Sequence, residues 1–128
     1  MANKMQLNLL MFALIGCNLM SSVISRKTYV VGDANGWRLP PHPSFYSEWA
    51  KNKIFRVGDT LVFPYQPGLN NVVQVSKEDF DICAMRTDLE QYYAGNSEIT
   101  LDKPGDSYFF CSVGKHCESG QRLHITVS

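Results

Sequence analysis

The sequence has no excess of charge of either sign and contains few histidines. Its 128 residues include 12 basic and 12 acidic side chains and three histidines. A neutral chain has no electrostatic field to attract nucleic acid, an anionic membrane or a polyanionic partner, so we exclude these partners. Hydrophobic residues still make up 45% of the chain, which is too many for intrinsic disorder. The length allows a single domain.

The start of the chain has the pattern of a secretory signal. Lys4 precedes an apolar run at residues 7–19, and small residues follow that run. The run is interrupted by polar residues and is shorter than the about 20 apolar residues that a membrane-spanning helix needs. We therefore predict a signal peptide at residues 1–25, a mature domain at 26–128 and a secreted, extracellular product.

The sequence also lacks the features of a membrane-attached or N-glycosylated protein. No apolar tail follows the alternating LHITV at residues 123–127, and no Asn-x-Ser/Thr sequon occurs. We expect a monomer without a membrane anchor.

Short β-branched and aromatic runs dominate residues 26–128. Gly, Pro and Asp separate these runs, and two short helices are indicated by capping residues, Ser44 for the first and Ser76 with Asp79 for the second. The pattern predicts about seven short strands in a β-sandwich or barrel. The predicted strands cover residues 28–31, 54–57, 60–63, 71–75, 97–101, 108–111 and 123–127.

The predicted mature chain keeps an odd number of cysteines. Cys83, Cys111 and Cys117 remain after removal of the signal. One of the three is therefore a free thiol or pairs between molecules, and spacing does not choose among the three possible bridges.

One loop carries three side chains that suit copper. Cys111, His116 and Gln121 follow one another at intervals of five residues, with Gly114 and Gly120 between them. Blue-copper centres use a thiolate, two imidazoles and a weak axial Met or Gln. The loop thus offers a thiolate, one imidazole and an axial amide.

Two other readings of the same loop are weaker. A zinc site from Cys111, His116 and Cys117 is disfavoured because adjacent residues point apart and secreted cysteines tend to be oxidised. A Cys111–His116 nucleophile pair is disfavoured because the pattern shows no oxyanion hole or substrate cleft. We therefore do not expect an enzyme.

A set of motifs extends along nearly all of the mature chain. The motifs are YVVG at 29–32 with Gly36 and Trp37, Trp49 with Ala50, FRVGDTLVF at 55–63, VVQV at 72–75 leading to Phe80 and Cys83, and YFFC at 108–111 followed by Gly114, His116, Cys117, Gly120 and Gln121. With these motifs the mature chain resembles a phytocyanin, a plant member of the cupredoxins. The resemblance implies a cupredoxin-like Greek-key β-sandwich with a Cys83–Cys117 bridge, one copper ion and the ligands Cys111, His116 and axial Gln121, as in the stellacyanin subgroup.

The sequence departs from this family at one copper ligand. The family's first His ligand lies thirteen residues before the bridging Cys83, and Asn70 stands there. The remaining histidines do not replace it, because His42 lies in a proline-rich loop and His124 alternates with the apolar face of its strand. We therefore expect weakened or altered copper binding and electron transfer.

Two functions follow from the resemblance. The first is a secreted electron-transfer protein of the blue-copper class with an incomplete site, acting in the apoplast or cell wall on a small redox partner. The alternative is a copper-free, non-redox interaction protein of the extracellular matrix that uses the sandwich as a scaffold, which is what a resemblance to early nodulin-like relatives implies. Its partner would be a cell-wall component.

Overall fold

The computed structural model describes residues 25–87 and 89–128. The predicted signal peptide lies outside these residues, apart from Ser25. Within the described part, no helix is long and apolar enough to cross a bilayer.

Two sheets form the framework. The first has the strand order β1–β2–β5, and the second has the order β4–β3–β6–β7. The strands β1 and β2 run parallel, and every other neighbouring pair is antiparallel. The strands are β1 Thr28–Val30, β2 Thr60–Phe63, β3 Val72–Val75, β4 Glu90–Tyr92, β5 Ser97–Thr100, β6 Gly105–Phe110 and β7 Arg122–Val127. The two sheets confirm the predicted β-sandwich.

Two short helices lie over the second sheet. Helix α1 spans Phe45–Lys51 and packs against β7, while α2 spans Lys77–Asp81 and packs against β6. Ser76 caps α2 as predicted, because its hydroxyl accepts a hydrogen bond from the Asp79 amide. Ser44 precedes α1, but its hydroxyl donates to the Glu48 carboxylate instead of capping the helix.

The core fills the space between the sheets with aliphatic and aromatic side chains. Leu61, Phe63, Phe109 and Leu123 are each at most 1% exposed. Burial on this scale stabilises the fold by roughly 1.5–3 kcal/mol per large apolar side chain. A second, smaller cluster lies under α2 on the other face of the sheet, where Val73, Val75, Phe80, Phe110 and Cys117 pack together.

The structure differs from the predicted strands in three places. Strand β6 begins at Gly105, three residues before the predicted start. Residues 54–57 form only a single parallel bridge, between Phe55 and Val127, because the neighbouring residues turn directly into β2. Strand β4 was not predicted from sequence, since Glu90–Tyr92 is short and partly exposed and has no apolar alternation.

The loop after α2 is organised around a buried carboxylate. Asp79 is 1% exposed and accepts hydrogen bonds from Arg86 Nε at 2.8 Å and from Thr87 N at 2.7 Å and Thr87 Oγ1 at 2.9 Å. Burial alone would raise the pKa of this carboxyl group. The hydrogen bonds from Arg86 and Thr87, with the guanidinium charge, outweigh burial and hold the pKa below its ordinary value of 3.8.

This lowered pKa makes the loop sensitive to acid. The stabilising contribution of Asp79 is present above its unfolded pKa and is lost as the pH falls through 3.8 toward the folded value. We therefore expect Asp79→Asn to be less stable than the wild type at pH 6, with the difference shrinking toward pH 3 in urea unfolding. Asp81→Asn, which removes an exposed pair with Lys77, is the control and should change stability little. A difference that does not vary with pH would contradict the assignment.

Candidate metal centre

The disulfide fixes one end of the loop that carries the predicted ligands. Cys83, two residues after α2, is bonded to Cys117, at a sequence separation of 34. This is the bridge that the resemblance implies. It leaves Cys111 as the free cysteine among the described residues, and that side chain is buried.

A tight loop places Cys111, His116 and Gln121 together. Cys111 directly follows β6, and its backbone N–H donates to the carbonyl of Gln121 at 3.1 Å. The backbone N–H of Gln121 donates in turn to the backbone carbonyl of His116 at 2.9 Å. The Cys111 Sγ lies 3.5 Å from His116 Nδ1. The side chains of Cys111 and His116 therefore meet, and the backbone hydrogen bonds bring Gln121 to the same end of the loop.

Gly120 permits this loop to pack against the segment before α1. Its φ is +108°, a conformation that favours glycine. A Cβ atom at this position would lie 2.6 Å from Pro43 Cα and from the Pro43 carbonyl oxygen. A larger residue at Gly120 would therefore displace the neighbouring Gln121.

Asn70 completes the cluster from a second loop. Its Oδ1 accepts a hydrogen bond from Gln121 Nε2 at 3.0 Å and lies 3.9 Å from Cys111 Sγ. Asn70 is 8% exposed, and both Cys111 and Gln121 are fully buried. The residue at the position of the missing histidine thus contacts both Cys111 and Gln121.

Asn71 and Trp37 hold the two loops in this arrangement, and sequence reasoning did not assign them that role. The Asn71 amide donates to Ser112 Oγ and accepts from the Ser112 backbone N–H, both at 2.8 Å. The buried Trp37 donates from Nε1 to the Asn71 carbonyl at 2.8 Å. The feature of the sequence that could have indicated the role of Asn71 is the polar pair Asn70–Asn71, which directly precedes an apolar strand.

The two remaining histidines lie away from this cluster. His42 Nε2 is 2.7 Å from Glu48 on the exposed side of α1, and His124 Nε2 is 3.0 Å from Asp106 on the surface of the second sheet. His124 also stacks on Tyr108 with ring centroids 4.5 Å apart. Both side chains are exposed, as predicted.

Burial controls the electrostatics of the cysteine in this cluster. Burial raises the pKa of the Cys111 thiol above its usual value, and backbone hydrogen bonds at Asn71 and Val113 oppose this only in part. Gln121 Oε1 is buried and has no hydrogen-bond partner among the described residues. An unsatisfied buried acceptor costs about 1–3 kcal/mol, so this oxygen is suited to a further ligand such as a cation.

The donor set fits copper incompletely. Cys111 and His116 supply a sulfur and an imidazole nitrogen, and the unpartnered Gln121 oxygen supplies a weak third donor. Within residues 25–87 and 89–128, no group of three or more His, Cys, Asp and Glu side chains is placed to hold a metal. The residues therefore fit a copper ion held by thiolate, one imidazole and an amide, but not the trigonal site with two imidazoles.

The sandwich and this two-loop cluster define the chain as a cupredoxin-type protein. The family described as "Plastocyanin-like domain" matches residues 37–121. Stellacyanin from Toxicodendron vernicifluum is 38% identical over 102 residues, which cover 78% of this chain and 95% of that protein. The chain belongs to the phytocyanin family.

Two further similarities extend this assignment. The copper(II) form of cucumber stellacyanin at pH 7.0 superposes with a TM-score of 0.76 and is 40% identical, covering 81% of this chain and 96% of that one. Early nodulin-like protein 15 of Arabidopsis thaliana is 36% identical over 117 residues, which cover 91% of this chain and 66% of the relative. The relatives therefore include both stellacyanins and early nodulin-like proteins.

Proposed function

We propose that this chain is a secreted, monomeric phytocyanin whose copper centre is reduced to Cys111, His116 and Gln121. Copper(II) binding and electron transfer are then weak or altered relative to a complete blue-copper site. One ion would be held by the sulfur, the imidazole and the amide oxygen, and when bound it supplies one-electron redox chemistry.

The observation that carries this proposal is the position of Asn70. Its amide oxygen lies beside Cys111 and is held by Gln121 Nε2, where the family resemblance places a second imidazole. An amide oxygen is a neutral and weak donor compared with an imidazole nitrogen, so it does not replace the lost ligand.

The wild-type protein tests the proposal directly. Copper(II) is added to the folded protein with its disulfide intact and Cys111 as the free thiol. The visible spectrum is expected to show a weak thiolate-to-copper absorption or none. Any copper(II) should be lost on desalting, because the site offers too few strong donors for this ion. Cys111→Ser is the control that should remove whatever absorption is present. An intense band that survives desalting would contradict the proposal.

A second candidate is the non-redox interaction protein of the extracellular matrix. It is favoured by two exposed apolar side chains, Leu39 at 48% and Leu69 at 57%, which line the same groove as Asn70 and His116. Apolar exposure of this kind marks interaction surfaces. This candidate acts without metal, so Leu39→Ser/Leu69→Ser should reduce binding to isolated cell-wall material and Cys111→Ser should leave it unchanged. Loss of that binding in Cys111→Ser would favour the copper protein instead.

A further inference from the structure

We propose that this centre selects a soft monovalent ion, copper(I), over copper(II). The inference rests on the proposed function, because it takes the same three residues as ligands. It goes further by stating which oxidation state of the metal the altered donor set retains.

The donor atoms carry the first part of the argument. Thiolate ligands select soft ions such as copper(I), whereas copper(II) prefers a tetragonal set of nitrogen and oxygen donors. The centre offers one sulfur, Cys111 Sγ, and one imidazole nitrogen, His116 Nδ1, which lie 3.5 Å apart. A d¹⁰ ion tolerates a low coordination number, so these two atoms and one weak contact satisfy it. Copper(II), a d⁹ ion, needs more strong donors than the sulfur and the imidazole nitrogen that this centre offers.

The state of the amides supports the same preference. Gln121 Nε2 donates to Asn70 Oδ1 at 3.0 Å, so the Asn70 oxygen already has a partner. Gln121 Oε1 has none among the described residues, and it is the amide oxygen that is free to make one weak contact. The cluster therefore provides two strong donors and one weak donor while its hydrogen bond between amides stays intact.

Charge balance carries the second part of the argument. The ligand form of cysteine is the thiolate, so a monovalent ion gives a neutral centre and a divalent ion leaves one net positive charge. Cys111 and Gln121 are fully buried, and an uncompensated buried charge is costly. The groove through which His116 and Asn70 reach the surface is lined by Arg38, Asn35 and apolar residues, with no carboxylate among the described lining. The surroundings therefore disfavour the extra charge.

The binding step involves no electron transfer. The Cys111 S–H bond is lost, a sulfur–metal bond forms, and one proton is released to solvent for each monovalent ion bound. Silver(I) has the same charge and closed-shell configuration, and it serves as an air-stable probe of the same step.

The test compares affinities for the two oxidation states. The folded protein with its disulfide intact is titrated anaerobically with copper(I) and, separately, with copper(II), each against a chromophoric chelator of known affinity. We expect one copper(I) per chain and at least about 100-fold weaker retention of copper(II). Silver(I) should protect Cys111 from a thiol reagent under mild denaturant, with labelling read by mass spectrometry. Equal retention of both copper ions, or retention of neither, would overturn the inference.

Two variants separate this inference from the proposed function. Cys111→Ser should abolish copper(I) retention and silver(I) protection, whereas Ser119→Ala, an exposed change in the same loop, should affect neither. Asn70→His should raise copper(II) affinity and change copper(I) affinity much less. Failure of Asn70→His to raise copper(II) affinity would refute the proposed function. Weak retention of both copper(I) and copper(II) by the wild type would overturn the preference for copper(I) and leave the proposed function intact.

Discussion

Asn70→His is expected to give an intense visible absorption on addition of copper(II), together with an increase of about 100-fold or more in copper(II) affinity. The new imidazole would join Cys111 and His116 to complete a set of one thiolate and two imidazoles. The substitution also removes the acceptor for Gln121 Nε2, so the hydrogen bond between the two amides is lost. The measurements are the visible spectrum, the electron paramagnetic resonance spectrum and a chelator competition.

The matched control for this substitution is Asn52→His. Asn52 is exposed at the end of α1, so the variant adds the same side chain away from the cluster. It should show the spectrum and affinity of the wild type. A blue band in Asn52→His, or none in Asn70→His with the fold intact by circular dichroism, would show that the site is misplaced.

Removal of the Cys83–Cys117 bridge is expected to cost about 4 kcal/mol in the free energy of unfolding, from the entropy of the loop that it closes in the unfolded chain. The bridge closes a sequence separation of 34. In a domain of this size the loss corresponds to a fall in Tm of about 15 °C or more. Chemical and thermal unfolding of Cys83→Ala/Cys117→Ala measure both quantities.

The disulfide prediction has a control that needs no variant. Wild-type protein whose disulfide has been reduced should show a similar decrease in the free energy of unfolding. Cys117 also packs in the cluster under α2, so the double variant loses somewhat more than the reduced wild type. A loss below about 1 kcal/mol in both experiments would mean that the loop is held by other contacts.

The bridge also matters for the metal centre. Cys117 directly follows His116, and the disulfide ties this point of the loop to the end of α2. Without the bridge the imidazole is less firmly placed beside Cys111, because the turn from residues 112 to 120 is then held by its backbone hydrogen bonds and, at Ser112, by Asn71.

Most of the fold could be predicted from local patterns. The alternation in β5 and β7 places Ile99, Leu123 and Ile125 in the core and His124 on the surface, and the sequence shows the same alternation. The helix cap at Ser76 could also be predicted from the sequence, because capping depends on residues that are close in sequence. Strand β4 and the reduced strand at Phe55 were not, because pairing partners rather than local pattern decide whether such short segments become strands.

The sequence predicts the residues of the candidate site but not the contacts between them. The sequence by itself determined that Cys111, His116 and Gln121 share a loop and that Asn70 stands where the family has an imidazole, because residue identity and spacing are properties of the chain. Only the tertiary structure decided that Asn70 accepts a hydrogen bond from Gln121, that Asn71 joins the two loops through Ser112, and that one Gln121 oxygen is left without a described partner. These contacts join residues 41 to 51 positions apart, and their geometry is set by how the two sheets pack, which no local pattern encodes.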